Sequence, residues 1–257
     1  MRIATGIANF LNQYFDKILI VTLPRFTDRQ HDITENLSGL AFEFFWGEDK
    51  LLLNFDTLKT NGIYDDHKSK QITRHGKEMN MGEITCSLSH RKLYNAMVAN
   101  GWKRVLVFED DVLPRYDDLQ YLPAAFAELP DDWELIYLGY LKHETITPSL
   151  KAKQFFYKIF SLFRLMKWNF TMAANLLPKP YSRYLKKAGI HDCTHAYAIT
   201  LSAAKKLVEE QTPVAHRADD LLSYLTANGK LHSFVTEPKF FDQEWFNNPD
   251  AISVKTI

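Results

Sequence analysis

Three consecutive carboxylates, Glu109, Asp110 and Asp111, close an apolar run at residues 105–108. That run is continuous and β-branched, which predicts a buried strand. Like charges crowded at the mouth of a strand repel one another, so stability alone does not favour them there. A divalent cation relieves the repulsion. Side chains alternate along an extended chain, so Glu109 and Asp111 project one way and Asp110 the other. An acid-x-acid pair at a strand's C-terminal end is a hard-oxygen clamp suited to Mg²⁺ or Mn²⁺, ions that favour carboxylates plus substrate phosphates. Open α/β sheets bind their ligands at this end. The competing reading is a solvated acidic turn that merely ends a strand, and the motif by itself does not choose between them.

Other side chains with chemical potential are scattered along the chain. Arg25 and Arg29 follow Pro24 at a strand-to-helix junction, where phosphates commonly bind, although ordinary surface arginines are the bland alternative. Gly82, Glu83, Cys86, Ser89 and His90 fall on one helical stretch; a single helical histidine is otherwise a packed or solvent-facing residue. Asp219 and Asp220 open a later helix. There they could serve as a base, or could simply complement the helix dipole at about 0.3–1 kcal/mol.

The elements that must position these residues read as a nucleotide-binding sheet. Residues 17–23 and 41–46 are predicted strands, with a Thr27-capped helix to about Leu37 between them. Strand, helix, strand and a Gly47-Glu48-Asp49 turn make a βαβ beginning. Residues 50–80, with His67, Lys68, Lys70 and His75, are predicted loop and short helix. A helix over 82–98 ends at Gly101. After the carboxylate strand come a helix over 117–129, strands at 133–138 and 195–201, a Ser202-capped helix to about Gln211, a helix over 217–225 and a strand at 231–236. Residues 238–257 read as an irregular tail with exposed aromatics. No GxGxxG and no P-loop occurs, so the dinucleotide fingerprint is absent.

Composition bounds the rest. At 257 residues with 46% hydrophobic residues, one large domain is expected. Formal net charge is zero, which gives no electrostatic footprint for nucleic acid. Cys86 and Cys193 suit thiols in a reducing compartment. No signal peptide is recognisable at the start, and no run approaches the roughly 18 apolar residues of a spanning helix. The expected location is therefore cytoplasmic. Between Glu144 and Asp192 no acidic residue occurs, while lysines, arginines and aromatics alternate. Such a stretch reads as a membrane-surface element over residues 151–187, or as a core helix whose lysines face water.

Taken in order, residues 18–23 with Asp28-Arg29, Gly82-Glu-Ile-x-Cys-x-Leu-Ser-His90, Val107-Phe-Glu-Asp-Asp-Val112, and His195-Ala-Tyr-Ala-Ile-Thr with Ala203-Ala-Lys-Lys-Leu207 resemble the family 25 glycosyltransferases. Asp219-Asp220 matches more loosely. Thr22-Leu-Pro24 departs from the Asn-Leu pair usual in the family, and the basic stretch has no counterpart. The resemblance implies an α/β fold of GT-A type: a mostly parallel Rossmann-type sheet flanked by helices, here with a basic aromatic helical insertion. It implies a single glycosyltransferase domain, with residues 1–140 the nucleotide-sugar half, 141–190 the insertion and 191–257 the acceptor side. It implies a UDP-sugar donor, a divalent metal (Mn²⁺ or Mg²⁺) and transfer of a hexose, galactose first and glucose next, onto a lipooligosaccharide acceptor at the inner face of the bacterial inner membrane. Asp111 and Glu109 are the expected metal ligands. Arg25, Arg29, Gly82, Glu83, Ser89, His90, Glu109 and Asp110 are expected around the donor. Asp219 or Asp220 is the expected base of an inverting transfer. The rival readings are a metal-dependent nucleotidyltransferase and a non-catalytic saccharide- or membrane-binding protein on this scaffold.

Overall fold

A computed structural model describes residues 2–72 and 76–244. His75 and the tail beyond residue 244 lie outside the described residues. The elements in order are α1 (Thr5–Tyr14), β1 (Lys17–Thr22), α2 (Thr27–Asn36), β2 (Phe42–Trp46), α3 (Phe55–Thr60), α4 (Asp66–Ile72), α5 (Met81–Asn100), β3 (Arg104–Glu109), β4 (Val112–Pro114) and α6 (Leu122–Ala127). There follow β5 (Leu135–Leu141), α7 (Pro148–Leu162), α8 (Phe170–Ala174), β6 (Lys179–Pro180), β7 (Leu185–Lys187), β8 (Asp192–Thr200), α9 (Leu201–Glu210), α10 (Ala218–Ala227), β9 (Ser233–Thr236) and β10 (Phe241–Gln243).

Eight strands form one sheet in the order β2-β1-β3-β8-β5-β9-β7-β6. β1 pairs in parallel with β2 and β3, and β5 with β9, while β8 runs antiparallel between β3 and β5. The result is a mixed α/β architecture with a largely parallel central sheet flanked by helices, as the alternating pattern of elements implies. Period-2 alternation assigns the two faces. Ile18, Ile20, Leu106, Phe108, Ile136 and Ala198 point to one core, shared with Leu11 of α1 and Phe126 of α6. Leu19, Val105, Val107, Tyr137 and Ile199 point to the other, shared with Leu93 of α5, Leu207 of α9 and Leu222 of α10. These side chains are buried on both faces, each worth roughly 1.5–3 kcal/mol when fully removed from water.

α5 is the best-framed helix. Asn80 Oδ1 accepts from the Glu83 backbone N–H, and Glu83 Oε2 accepts from the Asn80 N–H, a reciprocal capping box. Gly101 ends it at φ 66°, a left-handed turn that favours glycine.

Some expectations need correction. Thr27 is the first residue of α2 and does not cap it; the cap position belongs to Phe26, whose side chain makes no such bond. Thr200, not Ser202, caps α9, because Ser202 Oγ donates to Glu134 instead. The helix anticipated over 117–129 is reduced to a 3₁₀ turn and the short α6, restarted at Pro123, which lacks the N–H a continuous helix would need. The tail is not wholly irregular: β10 pairs antiparallel with β4, placing Gln243 opposite Val112. α7 is no core helix. Leu150 and Tyr157 turn inward with Trp168, while Phe155, Phe156, Phe160 and Phe163 are exposed.

Candidate active site

β1 and β3 are parallel neighbours with Val21 opposite Glu109, so both strands end at the same sheet edge. Residues of α5 face the same region. A cavity of about 870 Å³ lies there, lined by Thr22, Arg25, Arg29, Gly82, Ser89 and His90 along with Glu109, Asp110 and Asp111.

The three carboxylates divide as expected but not for the expected reason: β3 ends at Glu109, and Asp110 and Asp111 form the turn into β4, so the turn rather than strand alternation sends them apart. Asp110 turns toward β1 and α2: its Oδ2 accepts from Thr22 Oγ1 at 2.6 Å and its Oδ1 from Arg29 Nη1 at 2.9 Å. Burial raises its pKa, against the lowering effect of Thr22 and the Arg29 charge. Glu109 and Asp111 turn the other way, toward Gln243 of β10. Gln243 Nε2 lies 3.0 and 3.1 Å from the two Asp111 oxygens and 3.3 Å from Glu109 Oε2. Two carboxylates therefore converge on one donor. Convergent carboxylate oxygens of this kind fit a hard divalent cation.

Both arginines line the cavity, each already held by an acid. Arg25 makes a forked contact with Asp49, Nε to Oδ2 at 2.7 Å and Nη2 to Oδ1 at 3.3 Å, which lowers the Asp49 pKa. Phe26 lies between the arginines, its ring 4.5 Å from the Arg25 guanidinium and 5.1 Å from that of Arg29. The site thus offers a cationic, aromatic rim at a helix N-terminus, a setting suited to phosphate and base.

On α5, Ser89 Oγ donates to the Thr85 carbonyl and accepts from the Glu48 N–H at 2.8 Å. It ties the turn after β2 to the helix. Gly47 is required there, because a Cβ would sit 2.7 Å from Ser89 Oγ. His90 is buried, and burial pulls its pKa down to about 4, so it is neutral at pH 7. Its Nδ1 is 2.8 Å from Tyr197 Oη, which is 3.1 Å from Tyr94 Oη. Glu83, expected around the donor, does not line this cavity. Its carboxylate is committed to the α5 cap and to Arg217, whose Nε donates to Oε1 at 2.6 Å.

Asp219 and Asp220 line a second cavity, of about 390 Å³, together with Lys142, Lys153, Tyr157, Trp168 and Arg217. Arg217 reaches from it to Glu83, the neighbour of Gly82 on the first cavity, so this ion pair stands between the two. Asp219 is half-buried and accepts from the Cys193 N–H at 3.0 Å and the Asp220 N–H at 2.9 Å. Burial first, and then the Asp220 charge, raise its pKa, the direction a general base needs. Asp220 is half exposed and pairs with Arg217 Nη1 at 3.3 Å.

The structure adds residues that the sequence did not single out. Gln243 sits in a stretch read as tail, with no local signal. Phe26 had the arginines as its signal. Tyr157 and Trp168 were legible only as members of an aromatic run.

The sequence signature of glycosyltransferase family 25 (LPS biosynthesis protein) matches residues 15–222. The chain belongs to glycosyltransferase family 25. It is 28% identical over 207 residues to the human protein named inactive glycosyltransferase 25 family member 3, covering 77% of this chain and 29% of that one. It is 30% identical over 207 residues to a glycosyltransferase 25 family member of Aedes aegypti, covering 76% and 28%. It is 29% identical over 272 residues to procollagen galactosyltransferase 1 of Danio rerio, covering 93% and 39%. The chain thus spans about a third of the length of these relatives. An apo crystal structure of mouse xyloside xylosyltransferase 1 overlaps 83% of this chain and 69% of that one, with 10% identity and a TM-score of 0.35, too loose a match to argue from.

Proposed function

We propose that the chain is a hexosyltransferase that moves galactose from UDP-galactose onto a lipooligosaccharide-type saccharide, with inversion at the anomeric carbon. The observation that carries this reading is the cavity of about 870 Å³ where Glu109 and Asp111 converge opposite an Arg25–Phe26–Arg29 rim. It is the right size and chemistry for a nucleoside diphosphate sugar. The departing diphosphate gains negative charge as the glycosidic bond to it breaks through an oxocarbenium-like transition state. Glu109 and Asp111 would hold a divalent cation, which would offset that charge. Arg29 and Arg25 frame the phosphates and the base. Ser89 fixes the turn after β2 that forms the cavity wall. Asp219 takes the proton of the acceptor hydroxyl, and the Arg217–Glu83 pair separates donor from acceptor. In this reading residues 1–140 form the donor half, 141–190 the insertion and 191–257 the acceptor side, with Gln243 returning to brace the carboxylates.

The acceptor cavity supports a saccharide. Tyr157 and Trp168 give aromatic faces, and their rings meet edge-on at 5.8 Å. Exposed Phe155, Phe156 and Phe160 beside Lys151, Lys153 and Lys158 suit the surface of an anionic bilayer, which supports a peripheral role at the cytoplasmic face of the inner membrane. Among the described residues no helix is long and apolar enough to cross a membrane.

A donor screen by thermal shift tests the reading. UDP-galactose with Mn²⁺ is expected to raise the melting temperature more than UDP-glucose, UDP-N-acetylglucosamine or GDP-mannose, because a ligand stabilises the state it binds by mass action. Asp111→Ala is expected to cut transfer roughly 10²–10³-fold, the usual loss on deleting one electrostatic stabiliser, while melting changes little. Near-normal turnover of that variant under chelation overturns the metal assignment. The inactive naming of the human relative supports a second reading, a non-catalytic binder on this scaffold. Tight donor binding without release of UDP in the presence of acceptor saccharides distinguishes it.

A further inference from the structure

Glu109 presents two faces. Its Oε2 meets Gln243 beside Asp111, and its Oε1 points to α5, 3.9 Å from His90 Nε2. Cys86 and His90 are one helical turn apart, which puts both on the face of α5 that overlooks the cavity. One ligand atom from each of Cys86, His90 and Glu109 lies within 4.8 Å of the others. The His90 side chain is 2% exposed, yet among the described residues its Nε2 has no hydrogen-bond partner. A buried polar atom without a partner is costly and calls for an explanation. Its other nitrogen is oriented by Tyr197 Oη at 2.8 Å, the arrangement that metal-bound histidines commonly show.

We propose that Cys86 Sγ, His90 Nε2 and Glu109 Oε1 form a second metal site, selective for a borderline-soft divalent ion of the zinc type. A thiolate, an imidazole and a carboxylate are a zinc set, whereas Mg²⁺ and Mn²⁺ favour oxygen alone. Three protein ligands leave a fourth position open toward the cavity. Binding replaces the Cys86 S–H bond with a sulfur–metal bond, and the proton leaves to solvent. Glu109 then belongs to two sites at once, hard on its Gln243 side and softer on its α5 side. The inference goes beyond the donor reading and stands without it, since it requires metal binding and not turnover.

Cobalt(II) is the probe, because a cobalt–thiolate bond absorbs in the near ultraviolet. The full chain, stripped with chelator, is titrated with Co²⁺ and then with Zn²⁺ or excess Mg²⁺. The expected result is a thiolate-to-cobalt band that saturates at one equivalent, yields to one equivalent of Zn²⁺ and survives Mg²⁺. Cys86→Ser removes the band and Cys193→Ser keeps it. Tyr197→Phe weakens cobalt affinity about 10–100-fold, the usual cost of losing the partner that orients a ligating histidine. Asp111→Asn keeps the band whatever it does to transfer, so failure of the donor reading and failure of this one are separable. Absence of the band in a chain whose circular dichroism shows it folded overturns the proposal, as does a band that survives Cys86→Ser or is displaced by Mg²⁺.

Discussion

Asp219 carries a test that separates chemistry from stability. Its folded pKa is raised, so the charged form is worse solvated in the fold than in the unfolded chain, and the carboxylate adds no linkage stability at neutral pH. Asp219→Asn, which keeps an acceptor for one of the two backbone N–H groups, is expected to hold the melting temperature within a few degrees while transfer falls 10²–10⁴-fold, the usual contribution of a general base. In the wild-type chain the rate is expected to decline as pH falls through that raised pKa, because the base must be ionised. A pH–rate profile checks both points, and a variant that keeps its rate removes Asp219 from the chemistry.

At the scale of the element, α7 is built inside out relative to a core helix. Tyr157 and Leu150 anchor it, while Phe155 is 60% and Phe156 53% exposed. Exposed aromatics contribute little to folding, so Phe155→Ser with Phe156→Ser is expected to leave stability within about 0.5 kcal/mol. The same double variant is expected to lose flotation with anionic vesicles, and charge reversal of Lys151, Lys153 and Lys158 to lose it too, at about 1 kcal/mol per basic residue. Equal flotation of wild type and either variant overturns the membrane role.

Across the whole molecule, Glu210 at the end of α9 joins segments distant in sequence. Its carboxylate lies 3.2 Å from Lys68 of α4, 3.2 Å from Lys230 after α10 and 3.5 Å from His216 Nε2. His216 first, then Lys230 and Lys68, bring its pKa from 4.5 to about 2. A depressed carboxylate stabilises the fold above its unfolded pKa, and that contribution is lost as pH falls through the folded value. Stability is therefore expected to drop between about pH 4.5 and pH 2, by up to roughly 3 kcal/mol from this group. Glu210→Gln is expected to flatten that part of the pH–stability curve measured by urea unfolding.

Much of this was written locally. Apolar β-branched runs fix β1 and β3, because a strand buried on both faces can be little else, whereas the opposite directions of Asp110 and Asp111 are set by the β3–β4 turn, which the local pattern presents as extended chain. The Gly82–His90 stretch was legible as a helix bearing chemical groups for the same reason: spacing within one element depends only on local geometry. Contacts between elements were not legible. Gln243 reaches the carboxylates only because β10 pairs with β4 across the fold, Glu83 left the donor cavity for Arg217, and the aromatic face of α7 turned outward because Tyr157 and Leu150 found a core first. Which side chains meet across distant segments is settled by packing and pairing, whose partners no local pattern names.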